Sequence, residues 1–294
     1  MSCLYVCNTS SDYISKVNLI QFKEEQKIEL SRHEAYKAGP HDICIYKDKL
    51  LVANSYSNSL SIVDINMNKE IENFFIGMHC NGVDVFEDNA YIICGELNSI
   101  IVFNLSQNKI IEEIPCGNFP HSISINKNKK IIAVSNMNSD SITLIDCSDN
   151  FNIKNIKVLS YPVKAIFTPK EDKLLVCESF MGINKNGSLC MIDLKNLETV
   201  WRLKVGTYPV DIYCENNICY ISNFGDGTIS IIDMDNVKEI KRIKIGGMPR
   251  GIIKNEENIY VGDNYNNFLI ELNLKKETKK IIPIGGEPTG MLII

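Results

Sequence analysis

The chain has 294 residues, 45% of them hydrophobic and 23% charged, the balance of a globular protein with a sizeable core. Its net charge is -5, from 36 acidic against 31 basic residues, which argues against binding nucleic acid through a surplus of positive charge. No apolar run approaches the roughly 20 residues of a membrane span. The N-terminal MSCLYVCNTSSDY lacks the basic and apolar regions of a signal peptide, so the expectation is a cytoplasmic protein with no membrane partner.

In chain order, the first strand-like segment is LYVCN, Leu4 to Asn8, followed by YISKVNL. Residues from about Gln26 to Ala38 read as one more strand and a longer, charged connection. The clearest unit then runs from Gly39 to Ile65, with three short strands, DICIY, KLLVAN and LSIVDI. Variants of it recur to the end of the chain at a period of about forty residues, the spacing of propeller blades. The third strand of each repeat ends in Asp or Asn: Asn18, Asp64, Asn104, Asp146, Asp193, Asp233 and Asn273. These are expected to cap the turn that follows, one per blade, and not to converge on a metal. A Gly-x-x-Pro-like turn leads into most first strands, as in Gly117 to Pro120 and Gly206 to Pro209. Glycine permits a sharp turn there, and proline fixes φ where no ladder hydrogen bond is needed. Fourth strands such as KEIKRIKI alternate charged and apolar residues, the pattern of a half-exposed outer edge.

The 11 cysteines include no Cys-x-x-Cys pair. Cys7, Cys94 and Cys177 are read at one repeat position that takes a small residue, Ala53 and Ser135 elsewhere, and all the thiols are expected to be buried and reduced. The chain begins on a second strand and ends on a first, Pro288 to Ile294. The C-terminal strand is therefore expected to lie innermost in a blade whose other three strands come from the N terminus. The result is an all-β, seven-bladed β-propeller of four-stranded antiparallel blades, one domain over residues 1–294, its ring closed without open edges. The second strands LYVCN, LLVAN and IYVGD resemble the motif of the YVTN family of seven-bladed β-propellers, and residues 206–247 match it most closely. The resemblance implies relatives among surface-layer modules, periplasmic binding proteins, lactonases and a metal-dependent lyase.

The start of each first strand and the end of each second strand open onto one face, around the mouth of the central channel. That face is expected to carry the site, with blade-by-blade neighbours His41 and Asn54, Asn81 and Glu96, His121 and Asn136, Lys164 and Glu178, Val210 and Asn223, Arg250 and Asp263. Lys164 with Glu178, and Arg250 with Asp263, read as ion pairs or as receivers of a carboxylate or phosphate. The turn Phe180 to Gly187 is longer than its counterparts, and Phe180 and Met181 are placed as an apolar lip over the channel. The leading expectation is a monomer that binds a small polar ligand or a protein partner at this face, with no cofactor and no catalysis. The alternatives are a lactonase- or lyase-like enzyme, with His41 or His121 as base, Arg250 as oxyanion partner and a divalent metal on Glu96 and Glu178, or a structural protein of a spore or surface assembly.

Overall fold

In a computed structural model, which describes residues 2–31 and 37–294, the repeats form seven four-stranded antiparallel sheets, the blades of a propeller. Blade I joins Pro288–Ile293 to Cys3–Asn8, Tyr13–Asn18 and Lys23–Glu29. Blades II to VII follow over residues 40–75, 80–115, 120–157, 162–207, 209–244 and 249–283. The ring closes as the repeat order implies: Leu4 pairs with Ile293, Tyr5 with Leu292 and Val6 with Met291. The outer strand of blade I starts at Lys23, earlier than Gln26, and residues 32–36 of the charged connection lie outside the described residues. No helix of the described residues is long and apolar enough to cross a membrane.

The core is distributed around the ring. Each interface between neighbouring blades holds one apolar cluster. Leu51 and Leu60 of blade II meet Val83 and Ile92 of blade III, and Leu4 and Val6 of blade I meet Tyr260 and Leu269 of blade VII. Second and third strands are thus covered on both faces, which is why they read as nearly continuous apolar runs. Outer strands bury one face only; in Lys238–Lys244 every residue is exposed or half-buried.

The acids and amides ending the third strands cap their turns. Asn18 Oδ1 accepts from the Ile20 and Gln21 backbone N–H groups, Asp64 from Met67, Asp193 from Lys195 and Asp233 from Asp235 and Asn236. The inter-blade glycine permits a left-handed turn at Gly39, Gly246 and Gly247, and serves close approach at Gly206 and Gly117. A Cβ on Gly206 would lie 2.4 Å from the Asn223 side chain, and on Gly117 2.6 Å from that of Asn136, while neither glycine has positive φ.

Two cysteine expectations are corrected. Cys214 and Cys219 are disulfide-bonded: they stand directly opposite one another on adjacent strands of blade VI, with Cα atoms 4.3 Å apart. Cys94 pairs with Cys80, across from which other blades place Asn54 or Asn223, so it is one residue out of the assumed register with Cys7 and Cys177. Cys7, Cys94 and Cys177 are buried free thiols.

Candidate functional site

The site is made by a fault in the inner strands. In six blades the residue that follows the strand's first position has no partner on the second strand. These residues are His41, Asn81, His121, Val163, Val210 and Thr289. Such a β-bulge breaks the alternation of the strand and re-aims a side chain, here into the channel. In blade VII the irregularity falls one residue later, at Gly251, and Arg250 lines the channel beside it. One residue deeper lie Asp42, Ser122, Lys164 and Asp211.

The deeper groups stitch blade to blade. Asp42 Oδ2 accepts from Val83 N–H at 3.1 Å, Ser122 Oγ from Ala165 N–H at 3.0 Å and Asp211 Oδ2 from Ile252 N–H at 3.0 Å. Lys164 Nζ lies 3.2 Å from Asp211 Oδ1. Burial pulls the Lys164 pKa down, but Asp211 and Asp42 outweigh it and the ammonium stays charged. Burial raises the Asp42 carboxyl, against the pull of Lys164.

At the mouth, the Nδ1 of His41 is 2.7 Å from the Asn81 carbonyl oxygen, and the Nδ1 of His121 is 2.9 Å from that of Val163. A carbonyl only accepts, so each Nδ1 carries the hydrogen and each Nε2 keeps its lone pair. The Arg250 guanidinium donates to His41 Nε2 at 2.9 Å. The two rings meet edge to face, centroids 5.8 Å apart. Both imidazoles are held neutral. Burial lowers His41 well below its ordinary value, with Arg250 and His121 adding to it; burial and then Arg250 lower His121 to about 3.

Above this lies a funnel of about 280 Å³, walled by Tyr56, His79, Phe119, Met137 and Glu287 together with His41, Asn81, His121 and Arg250. Three wall residues are fixed by a repeated device. His79, Phe119 and Glu287 stand just before the first residue of an inner strand and adopt positive φ of 63°, 52° and 55°. Their backbone N–H groups donate to Asn58, Asn98 and Asn267 on the preceding blade, at 2.8, 2.8 and 3.0 Å. The left-handed conformation is unfavourable for such residues. The amide bond from the neighbouring turn holds each in place and presents its side chain to the funnel.

Of the residues expected here, His41, Asn81, His121, Lys164 and Arg250 do line the channel. Lys164 lies one residue deeper than assumed, because Val163 occupies the bulge. The others are brought elsewhere. Asn54, Asn136 and Asn223 are fully buried and donate from Nδ2 to hydroxyls of their own third strands, Ser59 and Ser61, Ser141 and Thr143, Thr228 and Ser230. Glu178 pairs with Arg202 at 2.6 Å and not with Lys164; it also accepts from Leu159 N–H and Ser188 Oγ. Asp263 caps its own turn through Tyr265 and Asn266, also accepts from Met248 N–H in the entry to its blade, and does not meet Arg250. Glu96 is exposed and its charge neighbour is His79. A second-strand end alternates normally and points into the blade, whereas the bulge does not.

The two imidazoles therefore face one another without the two glutamates, and among the described residues no group of three His, Cys, Asp or Glu is placed to hold a metal ion. In the long turn, Phe180 is buried under Lys185 and does not form a lip, whereas Met181 is exposed, as is Ile183. Sequence reasoning missed Asp42, Asp211, Tyr56, His79, Phe119 and Glu287. The signal for His79, Phe119 and Glu287 was their position, immediately before the first inner-strand residue.

No family model matches the chain, and no curated protein matches it by sequence. Among solved structures it is similar to hydrazine synthase of Kuenenia stuttgartiensis (17% identity over 89% of this chain and 91% of that one, TM-score 0.79). A functionally unknown protein from Desulfotomaculum acetoxidans DSM 771 matches over 99% of this chain and 98% of its own at 14% identity, TM-score 0.82. Dihydro-heme d1 dehydrogenase NirN, in complex with DHE, matches 99% of this chain and 74% of its own at 11% identity, TM-score 0.68. At these identities the likeness establishes the seven-bladed β-propeller fold and nothing finer.

Proposed function

We propose that the protein binds a small anionic ligand in the funnel and does not transform it. The observation that carries this reading is Arg250. Its guanidinium lies at the channel mouth, bonded to a neutral imidazole, and no carboxylate lies within ion-pair distance of it among the described residues. Burial lowers its pKa, the sign of a cation held where water is scarce. A guanidinium in that setting is a receiver for carboxylate or phosphate. Lys164, the other cation of the channel, is already paired with Asp211. The anion meets Arg250 directly, whereas Asp211 and Glu287 act on that guanidinium from beyond ion-pair distance, and the aromatic wall receives its apolar part.

The imidazoles support binding over catalysis. A general base works best with a pKa near the operating pH, and His121 at about 3 is far too weak. A single ring supplies every wall, so one copy suffices. The YVTN-like repeat supports a rigid scaffold, and NirN is a propeller-like protein seen with a bound ligand, DHE. Isothermal titration with inorganic phosphate and with 3-phenylpropionate tests the reading. The wild type is expected to bind one of them, and Arg250→Gln to lose at least about tenfold in affinity, the worth of a charged hydrogen bond. Equal affinity in the two proteins overturns it.

A further inference from the structure

The channel mouth contains two acceptors that have no donor. Asn81 is 3% exposed, and its Oδ1 is buried without a partner while its Nδ2 donates to the Pro120 carbonyl. The Nε2 of His121 keeps its lone pair because Nδ1–H is committed to Val163, and among the described residues no protein group donates to it. Both acceptors adjoin His41, whose Nδ1 bonds the Asn81 backbone and whose ring meets that of His121. His41 Nε2 in turn takes the Arg250 guanidinium. A cationic donor and two empty acceptors are therefore grouped around one imidazole, next to an aromatic wall.

A ligand that satisfies all three carries an anionic group and, close to it, a hydrogen-bond donor. The donor is neutral. Arg250 and Lys164 act on His121 as like charges, so the potential there is positive and an ammonium is disfavoured. We propose that the ligand is a hydroxy carboxylate with an apolar tail: the carboxylate on Arg250, the adjacent hydroxyl donating into the acceptor pair of Asn81 and His121, and the tail against Phe119 and Tyr56. This rests on the anion-binding reading above and narrows it.

The test is isothermal titration of the full chain with 3-phenyllactate, 3-phenylpropionate, which lacks the hydroxyl, and L-phenylalanine, which replaces it with an ammonium. A site built around a hydroxyl rejects the analogue without it, because its buried acceptor is left bare. The expected result is that 3-phenyllactate binds tightest and the other two are each weaker by about tenfold or more. Asn81→Leu is expected to bring 3-phenyllactate down to the level of 3-phenylpropionate while carboxylate binding persists. If 3-phenylpropionate or L-phenylalanine matches 3-phenyllactate in the wild type, the hydroxyl assignment is overturned and the anion reading stands. If none of the three binds, the hydroxy carboxylate assignment is overturned, and the anion reading falls with it when inorganic phosphate does not bind either. The comparison among ligands is made on the wild type, so it survives a variant that fails to fold.

Discussion

The two ends of the inner hairpin, one residue apart across the sheet, have opposite duties. At the end of the second strand, Asn54, Asn136, Asn223 and Glu178 are fully buried and their donors and acceptors go to their own blades. At the start of the first strand, His41, Asn81, His121 and Arg250 turn toward the channel. Residue type does not separate the groups, since both contain amides and charges. The bulge does. It allows one position per blade to vary toward a ligand while the facing position stays fixed by the hydrogen bonds of the fold.

Substitutions on the two sides sharpen that contrast. Glu178→Ala removes a fully buried carboxylate that serves Arg202, Ser188 and Leu159. Breaking such a buried pair costs about 3 kcal/mol, toward the low end of its range because Arg202 is a third exposed and can be hydrated. Chemical denaturation is expected to show that loss with ligand affinity unchanged; a weakened affinity at unchanged stability would reverse the assignment. Arg250→Ala is the mirror image. Binding of 3-phenyllactate is expected to fall by about 2 kcal/mol, the worth of a charged hydrogen bond, with the unfolding midpoint nearly unmoved.

A smaller effect is expected from Asn223→Ala, which breaks two buried hydrogen bonds to Thr228 and Ser230 at a net cost of about 1–2 kcal/mol and leaves binding alone. His121→Asn separates the two sides by pH. The folded pKa of His121 is lowered to about 3 against an unfolded value near 6.5, so the unfolded chain binds the extra proton as the pH falls between them. Wild-type stability is therefore full above pH 6.5 and lost on acidification, at up to about 1.4 kcal/mol per pH unit and less where channel water screens the charge. Asp84, raised to about 6 by burial, works in the opposite sense, so the quantity to measure is the difference between wild type and variant. That difference should shift in the variant's favour from pH 6.5 to 4; parallel curves would show that His121 is not held neutral. The least effect, about 1 kcal/mol or less, is expected from Asn98→Ala, which frees the Phe119 backbone N–H and relaxes its left-handed φ. Titration should show a modest loss of affinity for ligands with an aromatic tail.

Much of the architecture was legible because it rests on local chemistry. The Asp or Asn at the end of each third strand, the inter-blade prolines and the two complementary termini each report a turn or a strand on their own. The site was legible only in part. Placing a side chain requires the register to the single residue, and a slip of one flips the face. Val163 rather than Lys164 occupies the bulge, and Cys94 rather than Glu96 faces the start of its inner strand. The partners were harder still. Lys164 meets Asp211 from the next blade, and Asn98 holds Phe119 across an interface, contacts set by how blades pack and by no nearby pattern. The cross-strand Cys214–Cys219 bond shows the same gap, since its two residues become neighbours only once the hairpin forms.

The joining of the two termini in blade I also bears on synthesis. Thr9 and Thr289, 280 residues apart, share a hydrogen bond beside the channel. A ribosome releases the residues that begin that sheet long before those that supply its axial member. Six complete sheets can assemble meanwhile as an open arc, and the inner edge of Cys3–Asn8 stays unpaired until residues 288–293 have been made. Such late, long-range pairing is slow, and an unpaired strand edge is open to other chains while it lasts.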